Sequence, residues 1–302
     1  MKIPQNIKPN SKIRIVSPAG KIDKKKVLPA VQWFEKNGYR VELGKYIFAE
    51  HFQFAGTDEQ RLEDLQTAFD DPETDVIICS RGGYGTVRII DKLDFTKFAK
   101  TPKWLVGFSD ITALHLALHK VEIASAHAAM PAFLFDKNGT PNENLISLIK
   151  LLRGENLNYS IQQNKNNRTG RVKAQLIGGN LSIIASLLGT DYEPDTAGKI
   201  LFIEDIDEYL YHIDRLMHQL KLAGKFKNLA GLVVGDFTGT KDNKSPFGET
   251  VEEIITKVVE EFDFPVCFGF PAGHDKLNKA LTFGEEWELN VTTTGTIFNL
   301  KR

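Results

Sequence analysis

The sequence predicts a two-part α/β protein, and three observations carry that expectation. Strand-like and helix-like segments alternate through Leu152, as a parallel sheet covered by helices requires. Within that alternation, Asp75-Val76-Ile77-Ile78-Cys79 is nearly continuous apolar chain, the type of strand buried on both faces of a parallel sheet. From Arg153 to Thr169 the composition turns polar and rich in Asn and Gln, and strands and helices mix less regularly beyond it. Residues 1–155 are therefore expected to form an N-terminal parallel-sheet domain and residues 156–169 a linker. Residues 170–302 would form a C-terminal α/β domain with a more barrel-like or antiparallel sheet.

Taken in order, Lys12 to Ser17 reads as a first strand that ends in Pro18-Ala19-Gly20. A helical period from Val27 to Asn37 stops at Gly38, and Val41 to Leu43 is a short strand. Thr57-Asp58-Glu59-Gln60 has the chemistry of a capped helix start, with a helix running on to Phe69. The strand at 75–79 runs into Arg81-Gly82-Gly83-Tyr84-Gly85, followed by an expected helix from Thr86 to Leu93. Trp104 to Val106 is a buried strand, Ile111 to His119 a helix, Val121 to Ala126 a strand and Asn144 to Leu152 a helix. In the second half the same signals give a strand at Ile200 to Ile203 and a helix from Tyr209 to Leu222. A strand at Gly231 to Val234, a helix from Glu249 to Phe262 and a strand at Ala280 to Phe283 follow. A hairpin-like pair closes the chain, from Trp287 to Val291 and from Gly295 to Phe298.

The totals narrow the function. The 38 basic and 39 acidic residues nearly cancel, so no global field would recruit nucleic acid or an anionic membrane. No apolar run is long enough to span a bilayer, and the N-terminal residues lack a signal-peptide pattern, so a cytoplasmic protein is expected. Cys79 and Cys267 each lie inside an apolar strand-like run and read as small core residues rather than a disulfide or a metal knuckle.

Chemistry is expected where apolar strands end in polar or glycine-rich turns. Between the strand at 104–106 and the helix from Ile111 there is room only for a tight turn with Ser109 at its apex. A serine on such a turn projects its hydroxyl outward, and the following N–H of Asp110 lies near a helix N-terminus, where an oxyanion is stabilised. The same residues also suit a plain N-cap. A serine nucleophile needs a base and a carboxylate to orient it. Either Glu204 or Asp205, ending Leu201-Phe202-Ile203, and His274, after Pro271-Ala272-Gly273, supply those types in the order Ser, acid, His. Gly82 and Gly83 let the backbone approach a substrate and donate a second N–H. The glycine turn matches neither the dinucleotide nor the P-loop pattern. His115 and His119 share helical i, i+4 spacing, but Leu-Ala-Leu lies between them without the glutamate of a zinc-protease helix, so core packing is expected and no metal. No cofactor is expected either.

Arg81-Gly82-Gly83-Tyr84-Gly85, Gly107-Phe108-Ser109-Asp110, Gly178-Gly179-Asn180, Leu201-Phe202-Ile203-Glu204-Asp205 and Gly273-His274, in that order, resemble the LD-carboxypeptidase family. That family comprises the muramoyltetrapeptide carboxypeptidases and the microcin C immunity peptidases. The resemblance implies Ser109 as nucleophile, Glu204 as triad acid, His274 as base and the N–H groups of Gly83 and Asp110 as oxyanion hole. It further implies a Rossmann-like N-terminal domain, a C-terminal domain of swivelling β-barrel character, and a homodimer. Arg81 and Asn180 are the candidate substrate-binding residues, Arg81 as the cation for a terminal carboxylate. One departure is that the family's His-Gly-Pro after the elbow helix is replaced by Ala126-His127-Ala128-Ala129-Met130-Pro131. The expected activity is release of C-terminal D-alanine from a cytoplasmic murein tetrapeptide in peptidoglycan recycling. The alternatives are hydrolysis of a peptide–nucleotide or acyl-adenylate by the same residues, and a non-catalytic binding protein.

Overall fold

The computed structural model describes residues 1–302. Two compact units divide the chain. One comprises Met1–Glu155 with Lys279–Gly284, the other Asn156–Asn278 with Glu285–Arg302.

In the first unit the elements follow as β1 (Lys12–Val16), α1 (Lys24–Lys36), β2 (Arg40–Leu43), α2 (Asp58–Asp70), β3 (Thr74–Cys79), α3 (Thr96–Lys100), β4 (Trp104–Gly107), α4 (Thr112–Lys120), β5 (Ser125–His127) and α5 (Glu143–Leu152). The second unit contributes β6 (Leu157–Gln162), β7 (Gly170–Asn180), α6 (Leu181–Ser186), β8 (Ile200–Ile206), α7 (Leu210–Leu222), β9 (Gly231–Thr238), α8 (Val251–Val258) and β10 (Val266–Cys267). After β11 (Leu281–Phe283), which belongs to the first unit, β12 (Glu286–Thr292) and β13 (Gly295–Leu300) complete the second.

The first sheet has the order β11-β5-β4-β3-β1-β2, parallel throughout except for β11 against β5. Sequence order reverses between β1 and β3, so the loops after β1, β3 and β4 open at one edge, the switch point where α/β sheets place their sites. The capping chemistry read at Thr57 is present. The Thr57 hydroxyl accepts from Gln60 N while the Gln60 amide oxygen accepts from Thr57 N, closing a capping box on α2. Val76 to Cys79 are fully buried, as the unbroken apolar run requires.

The second sheet is mixed, in the order β10-β9-β8-β7-β12-β13-β6. Its first four strands are parallel and the remainder antiparallel. That strand order is open at both ends, so the barrel-like expectation does not appear in the pairing. The carboxyl ends of β7, β8 and β9 carry Asn180, Glu204 with Asp205, and Asp236.

Three expectations for elements are corrected. The stretch read as a linker contains a six-residue strand, β6, whose Leu157, Tyr159 and Ile161 alternate inward with exposed Asn158, Ser160 and Gln162. Residues 86–93 form two short 3₁₀ turns rather than one helix, because Thr86 is held by a side-chain partner and Ile89 breaks the run. Leu281–Phe283, read with the C-terminal domain, pairs with β5, Leu281 opposite His127 and Phe283 opposite Ser125.

Candidate active site

Ser109 stands at the junction of β4 and α4 with φ +65, a left-handed conformation that a residue bearing a side chain adopts only under constraint. A 3₁₀ turn over Ser109–Ile111 leads straight into α4, and no side chain caps either start. The N-cap reading of Ser109 and Asp110 is thereby replaced. The serine is instead the apex of a strand-to-helix elbow, with Asp110 N–H in the first turn, where helix geometry provides no internal acceptor.

The Asp110 side chain has a separate duty. It is 1% exposed, and it accepts from the main-chain N–H of Thr86 at 2.9 Å and from the Thr86 hydroxyl. Thr86 follows the turn 81–85, so this carboxylate holds the glycine turn beside the elbow. Burial pushes its carboxyl above the ordinary range, and the Thr86 bonds oppose that. Arg61, its side chain wholly buried, donates to Pro18 O at 2.6 Å and to Gly85 O at 2.9 Å and pairs with Asp58, fastening the same end of the turn to the chain after β1. Gly82 lies so close that a Cβ built on it would stand 3.0 Å from Ser109 Cβ and 3.2 Å from its Oγ. Gly83, the second expected oxyanion donor, follows in the same turn.

Beneath the elbow, His115 is fully buried and bridges two elements. Its Nε2 meets Gly107 O at 3.0 Å, and its Nδ1 meets Ser125 Oγ at 2.8 Å. Gly107 O also accepts from Ala128 N at 3.1 Å, so the last residue of β4 is held from two sides. Burial drives the His115 pKa down to about 4, which leaves a neutral ring donating from Nε2 and accepting at Nδ1. The core role expected for His115 is what the structure shows.

In the second unit Glu204 and Asp205 have different partners. Asp205 accepts from Asn180 Nδ2 at 2.8 Å, Ser182 N at 2.9 Å and Ser182 Oγ at 2.8 Å, so it anchors the first turn of α6. Glu204, with no exposed surface, takes His274 Nδ1 at 2.6 Å on Oε2. Burial pushes the Glu204 carboxyl up and the His274 hydrogen bond pulls against it. For His274, burial pulls the imidazole down, but the hydrogen bond and charge of Glu204, with Asp205 and Asp207, outweigh it and the net shift is upward. A buried carboxylate fixed on Nδ1 sets the ring's orientation and leaves Nε2 as its basic nitrogen.

Asn180 caps α6 through Ile183 N at 3.1 Å besides binding Asp205, so its side chain organises the second unit's loops. Arg81 is exposed, and its Nη1 donates to Lys21 O at 2.8 Å, tying the glycine turn to the loop after β1. The structure thus brings together Gly82 and Ser109 in the first unit, and Asn180, Glu204 and His274 in the second. Reading the sequence missed Arg61, Thr86 and Asp236, none of which stands in a motif. No group of three or more His, Cys, Asp or Glu side chains is arranged to hold a metal ion. Cys79 and Cys267 are free, buried thiols.

Known proteins resemble this chain along nearly its whole length. The LD-carboxypeptidase N-terminal domain model matches residues 13–128 and the C-terminal domain model residues 173–289. A Bacillus subtilis protein named a probable murein peptide carboxypeptidase is 34% identical over 290 residues, covering 95% of this chain and 91% of that protein. The crystal structure of muramoyltetrapeptide carboxypeptidase from Oxalobacter formigenes is 29% identical and superimposes with a TM-score of 0.88 over 96% of this chain and 99% of its own. The microcin C7 self-immunity protein of Escherichia coli is 26% identical over 293 residues, covering 85% of this chain and 83% of its own.

Proposed function

Since this chain belongs to the LD-carboxypeptidase family and is a serine-type carboxypeptidase, we propose that it hydrolyses the L–D peptide bond of a murein tetrapeptide and releases the terminal D-alanine. Membership as a hydrolase sets aside the binding-protein alternative. The observation that carries the mechanism is the buried Glu204 carboxylate fixed on His274 Nδ1 at 2.6 Å, the acid–base half of a serine triad.

In this reading Ser109 Oγ attacks the scissile carbonyl carbon while His274 Nε2 takes its proton and Glu204 compensates the imidazolium. The carbonyl oxygen gathers negative charge and is met by the N–H groups of Gly83 and Asp110. Collapse of the tetrahedral species breaks the C–N bond. His274 returns the proton to the departing amine of D-alanine, leaving an acyl-Ser109. Water, deprotonated by His274, then releases the tripeptide acid and restores the serine. Arg81, with one of its five donors engaged at Lys21 O, offers the remainder to the substrate's terminal carboxylate, and Asn180, whose amide holds Asp205 and caps α6, shapes the second unit's part of the substrate site.

The same reading includes action in the cytoplasm, and, from the family resemblance, a role in peptidoglycan recycling and a homodimer. The near-balanced charge supports a small peptide substrate over nucleic acid. No helix is long and apolar enough to cross a membrane.

The test is product release from three peptides: a tetrapeptide ending in D-alanine, its C-terminal amide, and the all-L isomer. The free acid should be cut to the tripeptide and the all-L isomer should not. Amidation should raise the barrier by about 1.5–3 kcal/mol, the scale of a lost charged hydrogen bond. Equal rates on all three would mean a general peptidase. The likeness to the self-immunity protein favours a second reading, hydrolysis of a peptidyl-adenylate, which cleavage of that compound with none of the peptides cut would establish.

A further inference from the structure

β8 and β9 do not run in plain register past the site. Ile203 lies opposite Val234 and Asp205 opposite Phe237, so Gly235 and Asp236 together face the single residue Glu204. Such a bulge adds a residue to one strand and re-aims its side chains, and bulges concentrate beside active sites. Here it delivers a carboxylate that no motif announces. Asp236 N–H donates to Ala272 O at 2.9 Å, and Phe270 N–H donates to Val234 O at 3.0 Å, so the loop leading to His274 is fastened along the bulged end of β9. The clamp is close. A Cβ built on Gly273 would stand 3.1 Å from Asp236 Cβ, 3.3 Å from Asp236 O and 3.1 Å from Glu204 Oε2. Gly273, immediately before His274 and with φ +140, fits because it has no side chain.

We infer that Asp236 is a positioning residue for His274: its main chain fixes the loop that carries the imidazole, and its carboxyl supplies a further negative charge beside the Glu204–His274 pair. The inference rests on the proposed role of that pair. The charged groups facing Asp236 are Glu204 from β8 and His274 and Asp275 from the loop; Asp205 and Asp207 act on His274 as well. Burial, reinforced by Asp275 and Glu204 and opposed by His274, pushes the Asp236 carboxyl up to about 7. It therefore changes charge across neutral pH, where His274 must lose its own proton to act as base. Ionised, it favours the imidazolium; protonated, it does not. The two groups then titrate as a coupled set rather than singly.

Asp236→Asn keeps the main-chain N–H and the side-chain shape but removes the charge. Its effect is read twice, by NMR titration of the His274 ring in ¹³C-histidine-labelled protein and by the pH dependence of kcat/KM. In the Asn variant the His274 titration should move to lower pH by about half a unit or more, the direction for loss of a neighbouring anion. The acidic limb of kcat/KM should move with it. Asp236→Glu, which keeps the charge, should restore both to near the wild-type position. Should the Asn variant fail to fold, Asp236→Ala carries the same test. Superimposable His274 titrations in wild type and the uncharged variant overturn the inference, whether or not the rate falls. A moved His274 titration with an unmoved kcat/KM limb would uphold the Asp236–His274 coupling while rejecting His274 as the base.

Discussion

In the first unit the proposed chemistry depends on main chain, whereas in the second it depends on side chains buried against one another. Ser109 takes its direction from a left-handed φ at the end of β4, and the expected oxyanion donors are peptide N–H groups. Charged groups serve there as fasteners: Asp110 on Thr86, Arg61 on Pro18 and Gly85. In the second unit Glu204, His274, Asp205 and Asp236 are clustered side chains whose protonation is shifted by burial, by hydrogen bonds and by neighbouring charges. A main-chain site is insensitive to pH but intolerant of a methyl group. A side-chain site tolerates volume better and answers to every nearby charge.

The largest effect should come from removing one group from each half. Ser109→Ala and His274→Ala should each lower kcat/KM by on the order of 10³ or more, and the double variant should be no worse than the poorer single one, because the groups act as a unit. Glu204→Ala should follow the same pattern. Fluorophosphonate labelling read by mass spectrometry gives the check: the adduct should sit on Ser109 and be slowed in the His274 variant. Full activity in Ser109→Ala would sink the serine mechanism outright.

The comparison sharpens at acid pH. His115 titrates at about 4 in the fold against an ordinary value near 6.5, so the unfolded chain binds a proton first as the pH falls. Its contribution to stability is complete above pH 6.5 and is lost on the way down to 4, by roughly 3 kcal/mol. Acid sensitivity in the first unit is thus expected to be a stability effect, and in the second, under the proposed mechanism, a rate effect at His274. Urea unfolding between pH 7 and 4 should lose less stability in His115→Asn than in wild type; parallel curves would remove His115 as the cause.

This contrast also explains what could be read in advance. A tight turn at Ser109 was legible because a short strand, a glycine and a helix leave little room there, although the same residues also suited a plain N-cap; the first sheet was legible from its strand–helix alternation and the apolar runs of β3 and β4. Glu204 and Asp205 are neighbours of like chemistry, and only the β7–β8–β9 pairing turns one toward His274 and the other toward α6. Asp236 depends on a bulge, a register property of two strands that neither strand's residues declare. β6 hid for a different reason. Its period-2 pattern of Leu157, Tyr159 and Ile161 is present but short, and the Asn- and Gln-rich chain around it reads as linker.

The smallest of these effects tests the main-chain half most directly. Gly82 has an ordinary φ, so alanine costs it no conformational strain, and any penalty must be steric. The added methyl would meet Ser109 Cβ at 3.0 Å, its Oγ at 3.2 Å and Phe108 O at 3.3 Å, each tighter than van der Waals contact. Relief by a few tenths of an ångström has to come from the elbow or from the glycine turn, and either shift moves Ser109 relative to the turn that carries Gly83 N–H. Overpacking of this kind costs about 1–3 kcal/mol. If about 1.4 kcal/mol of it falls on the transition state, kcat drops about tenfold. KM should change less, since what moves is the reacting group. The melting temperature should fall only slightly, because the contact is local. Measuring kcat, KM and the rate of fluorophosphonate labelling in Gly82→Ala separates the possibilities. A tenfold slower labelling with a nearly unchanged melting temperature is the expected result, and wild-type labelling would mean that the elbow is looser than its close contacts imply.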